Sequence, residues 1–506
     1  MAQTESETRT DRARVYGNFR VPTSKGLAGL STAGTLILLA GIGLAVVMVM
    51  LQLWIAAAVI VLVTLVLVGL SMVRDKHGRT LMDRITRRLA WWDTRYKGAN
   101  IYRSGPVSRM PGGTTKLPGI AARSSVSEHT DAYGRPFALI EIPQKKHYTV
   151  VLGSDPDGGG MVDEDQINRW VDRYSGFLGA LTDEPGLIAA SVTIETAPDT
   201  GFRLARKVQE RTSENATPFA QQVMQETVGM LPTGSTVTRA YVAITFKAAT
   251  RANGKARSRD EVAEDLASRL PNMTHALNGT GAGVAEPLAV QELCEMVRVA
   301  YDPHEAALFD QAYAAGQAPL LNWNEVGPQA HDALWDAYHH QGVWSKSWAM
   351  SVPPRSTVRA NVMQGLVGPM QDVLRKRVTM LYRPIDPARA AQIVEQDVNT
   401  VTFNASSRNR ATSRDSRELR AAEATSNEEA DGAGLLNFGL LVTATVEDET
   451  QLPDLDAAID SLGAGARIRL EQAFGAQDST FQAGLPLGIV IPEHLKLPTV
   501  VRSSLG

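Results

Sequence analysis

Three histidines stand close together in the stretch QAHDALWDAYHH: His331, His339 and His340. His331 and His339 are eight residues apart, near two helical turns, so a helix would place both on one face. A metal ion would need a third ligand, for which Asp332 or Asp336 could serve. The spacing matches no known zinc arrangement, and core or surface histidines explain the same residues. The acidic loop DPDGGGMVDED, Asp155 to Asp165, has oxygen ligands for a hard cation but lacks the alternation and the bidentate Glu of an EF-hand. It reads as a solvated turn before a helix, with Asp163 as its cap. Gly254-Lys255 has neither the upstream glycine nor the hydroxyl partner of a phosphate-binding loop. No H-E-x-x-H, G-x-S-x-G or paired C-x-x-C occurs. The lone cysteine, Cys294, lies in the helical run VQELCEMVRVA, where burial as a small apolar group is expected. The expectation is therefore a chain that is not an enzyme and takes no cofactor and no metal.

The elements that hold these residues are set by composition. The chain has 506 residues, a formal net charge of −3, 44% hydrophobic and 21% charged residues. That balance describes globular domains and excludes a basic nucleic-acid binder. The arginines Arg408, Arg410, Arg414, Arg417 and Arg420 form a basic run, but the acidic run EATSNEEAD follows at once and no aromatic interleaves. Direct nucleic-acid contact is not expected.

Leu27 to Val73 carries no charged residue. Its length suits two membrane crossings of about 20 residues each, Ser31 to Met50 and Trp54 to Val73. The turn would fall at Gln52, with Trp54 at the membrane–water interface. Basic residues flank both ends: Arg9, Arg12, Arg14, Arg20 and Lys25 before, and Arg74, Lys76, Arg79, Arg84, Arg87 and Arg88 after. By the positive-inside rule, both termini are expected in the cytoplasm, giving a multi-pass protein of the cytoplasmic membrane. A basic amphipathic helix is expected within 74–97, with Leu81, Met82, Ile85, Leu89 and Trp92 on one face. Its Arg84, Arg87, Arg88, Trp91 and Trp92 could contact anionic lipid; packing on the rest of the protein is the competing reading.

Residues 1–26 form an N-terminal cytoplasmic segment, and residues 98–135 read as a Gly/Pro/Ser-rich linker. From residue 136 to 506 strands and helices alternate, with a subdomain boundary near 285–300. PFALIEI and HYTVVLG form a hairpin; GLIAASVTIET, VTRAYVAITFKA, RKRVTMLYRPI and NFGLLVTATVED read as further strands. LDAAIDSLGAGARIRLEQAFG reads as a helix broken near Gly463, and a long interrupted helix covers Asp386 to Asp431. No fixed-period repeat appears. The fold class expected is α+β: an N-terminal two-helix transmembrane hairpin followed by a cytoplasmic mixed α/β region with an antiparallel or mixed sheet.

Two segments carry a family resemblance. YGNFRVPTSKGLAGL, leading directly into the hairpin, resembles the PrgI-type small membrane subunit, whose signature is a basic Arg-x-Pro entry before two helices; Arg20 and Pro22 hold those positions. WSKSWAMSVPPRSTV, RKRVTMLYRPIDPARA and GAGLLNFGLLVTATVED resemble the N-terminal, non-ATPase domain of the CagE/TrbE/VirB family of conjugative type IV secretion ATPases. The P-loop motor of that family has no counterpart in this sequence. Residue usage suits an actinobacterial source. The resemblance implies a membrane-anchored structural or scaffold subunit of a conjugative type IV-like secretion apparatus. Its implied partners are a separate motor ATPase, sibling subunits, membrane lipid and further copies of itself. The alternative is an EccE-type structural subunit of a type VII secretion system. A membrane-tethered enzyme is a third reading, without a catalytic constellation behind it.

Overall fold

A computed structural model describes residues 16–17, 19, 32–73, 75–106, 108, 111–158, 160, 162–199, 217–230, 236–248, 257–354, 357–406, 413–430 and 432–495. Arg20, Pro22, the Gly254-Lys255 pair, Arg408 and Arg410 lie outside the described residues.

Two apolar helices open the described chain, α1 (Thr32–Met50) and α2 (Trp54–Met72). They pack on each other through small side chains. Ala45 and Ala57 are buried, and a Cβ on Gly41 would lie 2.2 Å from Thr64 Oγ1, so glycine is what allows that approach. Gln52 makes the turn in a left-handed conformation, φ 59°. Gln52 and Trp54 are both exposed. Among the described residues, no helix is long and apolar enough to cross a membrane. This corrects the expected transmembrane hairpin, and with it the multi-pass membrane placement. Each helix has 19 residues, which at ~1.5 Å per residue falls just short of a ~30 Å hydrocarbon layer.

Everything after this hairpin is organised by one antiparallel sheet of thirteen strands. In chain order they are β1 (Ile101–Arg103), β2 (Ser125–Thr130), β3 (Pro136–Ile142), β4 (His147–Ser154), β5 (Leu187–Pro198), β6 (Thr236–Lys247) and β7 (Glu286–Pro287). They continue as β8 (Ala330–Ala333), β9 (Tyr338–His340), β10 (Val343–Val352), β11 (Arg375–Pro384), β12 (Leu436–Val446) and β13 (Arg469–Gln472). The spatial order is β1-β8-β9-β10-β12-β11-β5-β6-β4-β3-β2, with β13 also on β10 and β7 also on β4.

That order contains one motif twice. Strands β4, β5, β6 and β7 lie side by side as β5-β6-β4-β7, and β10, β11, β12 and β13 as β11-β12-β10-β13. Each is the ferredoxin-like arrangement, and each is preceded by a hairpin strand, β3 or β9, that widens the sheet. The halves meet through their second strands, β5 on β11. The register makes Thr149 correspond to Ser345, Thr193 to Thr379 and Thr245 to Thr445. The repeat has no fixed period because loop lengths differ.

The strands alternate with period two, so the sheet has two chemically different faces. One carries Leu139, Val150, Val242, Ile244, Val378, Val442 and Ala444. Helices α4 (Glu164–Asp183) and α6 (Arg259–Ala276) cover its first half, and α11 (Leu452–Gly465) its second. The opposite face carries Thr149, Thr193, Glu195, Thr245, Ser345, Ser347, Arg377, Thr379, Thr443 and Thr445, all buried. Over it lie α7 (Val290–Tyr301), α8 (Glu305–Ala314), α12 (Gln477–Ala483) and the segment 484–490. Other long helices are α3 (Leu81–Tyr96), α5 (Pro218–Met230), α9 (Pro387–Ser406) and α10 (Ser413–Ala430). The last two form a helical pair between β11 and β12.

Several sequence expectations change. Residues 98–135 include β1 and β2 and so belong to the sheet. LDAAIDSLGAGARIRLEQAFG is helix α11 followed by strand β13. Residues 484–490 cross the polar face, with Leu485, Leu487 and Ile489 buried and the Gly484 carbonyl accepting from the Thr379 hydroxyl. Asp163 stands at the start of α4 but makes no side-chain capping bond.

A charged cleft on the polar face

On the polar face, one cluster sits where both halves meet. Glu195 of β5 is 3% exposed. In register it stands opposite Arg377 on one side and Arg239 on the other. A buried carboxylate between two cross-strand guanidiniums is the arrangement that offsets its desolvation. Arg375, one strand position-pair along, makes the shortest contact, Nη1 donating to Glu195 Oε1. Arg377 Nη1 is 3.7 Å from Oε2, an ion pair beyond hydrogen-bond reach. Among the described residues, Glu195 Oε2, Arg375 Nε and all three Arg377 guanidinium nitrogens have no hydrogen-bond partner. Burial pulls the Arg377 pKa down to about 10, against the attraction of Glu195, while its guanidinium lies 4.6 Å from the centre of the Phe481 ring. Burial also acts against the charge on Arg239, but Tyr241, Glu195 and Asp155 hold its pKa above the usual arginine value.

This cluster is the floor of a cleft of about 560 Å³. β4 and β7 supply one side, with Asp155 and Glu286. α7 and α8 supply the other, with Glu292, Glu295, Met296, Val299, Phe309, Asp310 and Tyr313. The α7 side chains are held in place locally. Glu292 accepts from the Ala289 backbone N–H at 3.0 Å, closing the helix start, and Glu295 accepts from the Tyr313 hydroxyl and from Gln291 Nε2 at 2.9 Å. Among the described residues, seven carboxylates and two guanidiniums line the cleft, and its lining offers charge and shape.

A hydroxyl and an imidazole do meet elsewhere. His340 Nε2 is 2.8 Å from Ser345 Oγ, His340 Nδ1 is 2.7 Å from the Tyr301 carbonyl, and Ser345 Oγ is 2.7 Å from Thr445 Oγ1. The pattern is that of a base holding a nucleophile. Here both residues are sealed beneath Phe481, Tyr301 and Tyr338, so no substrate reaches Ser345. Burial lowers the His340 pKa to about 3. The histidines singled out in the sequence lie on strands, not on a helix. His331 pairs in register with His340, its Nδ1 is 2.5 Å from the Tyr338 hydroxyl, and His339 stacks on Trp344. Among the described residues, no group of three or more acidic, His or Cys side chains could hold a metal ion.

Helix α3 lies against the second half of the sheet. Its start is capped by Thr80 and Asp83. Arg87 Nη1 and Arg79 Nε donate to the two oxygens of Glu471 at 3.1 and 2.9 Å. Arg88 lies over the Trp335 ring at 4.4 Å, Arg84 pairs with Asp75, and Trp91 is buried against Trp335. Trp92 remains exposed. The side chains expected to meet anionic lipid thus have partners within the protein, apart from Trp92. The cleft residues Glu195, Arg239 and Arg375 escaped the sequence reading. Their one signal was charge at inward positions of strands otherwise rich in Val, Ile and Thr.

A family model described as a domain of unknown function, DUF8461, matches residues 23–83. That covers the helical hairpin and the approach to α3 and leaves the sheet unmatched. No curated protein matches the chain.

Proposed function

We propose that the chain is a structural subunit of a conjugative, type IV-like secretion apparatus, a scaffold on which a separate motor ATPase docks. One observation carries the reading. The three segments that resemble the front domain of the secretion ATPases are far apart in sequence, yet their strands β10, β12 and β11 are hydrogen-bonded neighbours. Together they make three of the four strands of one ferredoxin-like half, so the resemblance falls on a single structural unit. A second support is the cleft, which has the make-up of a recognition surface.

The test pairs genetics with biochemistry. Tagged full-length chain, co-expressed with the P-loop motor ATPase of its own transfer system, is expected to co-purify with it, and deletion of its gene should abolish transfer. ATP turnover by the purified chain alone should not exceed that of a mock preparation. Normal transfer in the deletion strain, with no ATPase co-purifying, would sink the scaffold reading.

A further inference from the structure

We infer that the cleft above Glu195 receives a basic segment of a partner polypeptide, with lysine or arginine heads against its carboxylate walls and their aliphatic stems on Phe309, Met296 and Val299. The inference rests on the docking role proposed above and names the chemistry of the docked partner.

Charge supports it first. Among the described residues, seven carboxylates against two guanidiniums line this one cleft, while the whole chain carries only −3. Negative charge is therefore concentrated here, and a concave wall focuses its field on an approaching cation. Glu286 and Glu292 are exposed at the rim, where they would steer encounter. The second support is independent of the rim. Glu195, nearly fully buried, lines the cleft, and among the described residues its Oε2 accepts no hydrogen bond and meets Arg377 Nη1 only at 3.7 Å. A buried unsatisfied acceptor is costly, and a donor delivered from the cleft would relieve it. The third is shape. Met296, Val299, Phe309 and Leu288 give an apolar strip beside the acids, which suits the long stems of Lys and Arg better than a compact inorganic cation. Phe309, Tyr313 and Tyr241 add ring surfaces on which a cation can rest.

The probe is a fluorescein-labelled peptide of alternating lysine and leucine, titrated against the full-length chain and followed by anisotropy. An otherwise identical glutamate–leucine peptide and free spermidine serve as comparators. The lysine peptide should bind, bind more weakly as salt is raised, and outcompete spermidine. The variant Glu286→Lys/Glu292→Lys should lose about tenfold or more in affinity for it, and circular dichroism should show the variant still folded. If both peptides bind alike, if spermidine matches the lysine peptide, or if the folded variant binds the lysine peptide unchanged, the inference is overturned. Failure here, with the motor ATPase still co-purifying, would remove the cleft's role and leave the scaffold reading standing. Loss of co-purification with peptide binding intact would do the reverse.

Discussion

The hydroxyls of Thr193 and Thr379 meet at 3.0 Å across the line where the two halves of the sheet join. Thr379 has one proton, and it goes to the Gly484 carbonyl at 2.9 Å. Thr193 must therefore donate to Thr379, which fixes the direction of the chain of bonds. Both hydroxyls are buried. Thr379→Val should strand the Thr193 donor and the Gly484 acceptor and cost about 1–3 kcal/mol. Urea denaturation would show a lowered midpoint; an unchanged midpoint would mean water replaces the lost partner.

Gly488 sits where the C-terminal strap passes over Thr149 and Thr245. A Cβ there would lie 2.0 Å from Thr149 Oγ1 and 2.4 Å from Thr245 Oγ1, and φ is +68°. Both clash and backbone strain oppose a side chain. Gly488→Ala should destabilise by about 3 kcal/mol, read as a fall in melting temperature. Gly160→Ala, with nothing near its Cβ, is the control and should change little.

Three buried histidines link stability to pH. Burial lowers the pKa values of His147 and His331 to about 4 and of His340 to about 3, against about 6.5 in the unfolded chain. As pH falls below 6.5 the unfolded state gains protons that the folded state refuses. Stability is complete above that value and is lost progressively towards pH 4. The slope is at most about 1.4 kcal/mol per pH unit for each histidine. Denaturant midpoints compared at pH 7 and pH 5 should fall, and His340→Gln should flatten the trend. A flat wild-type profile would contradict the assigned burial.

Glu471 holds α3 through Arg79 and Arg87. Glu471→Gln should loosen the helix by about 1 kcal/mol or less, since the arginines are part-exposed. The Trp91 and Trp335 rings meet at a tilt at this contact, so tryptophan emission should shift to longer wavelength and trypsin should cut sooner near Arg84 and Arg88.

Cys294 is fully buried in α7 and its thiol is pushed up to about 12, chiefly by burial. An aromatic disulfide reagent should leave the native protein unmodified at pH 8 and titrate one thiol after unfolding. Rapid native reaction would show that α7 opens.

The long strands were legible because each is a run of β-branched residues with turn signals beside it. PFALIEI, VTRAYVAITF and NFGLLVTATV all became strands in the sheet. Their pairing was hidden, since antiparallel strands of like composition do not say which neighbours they take. RIRLEQ failed because four residues are too few to show a period. His331 and His339 failed for another reason: two strands joined by a tight turn brought them together, and the spacing imitated a helix. The cleft was least legible. Glu195 and Arg375 are charged residues near strand ends, where charge usually means solvent, and only pairing between β5 and β11 puts them side by side.

The joint between β5 and β11 has a consequence for how the molecule is made and mismade. Thr193 and Thr379 are 186 residues apart, so this contact closes a long loop and should form late in folding. Until it forms, each half presents a bare strand edge of matching register. In concentrated refolding mixtures β5 of one molecule can find β11 of another, giving exchanged dimers built from native contacts alone.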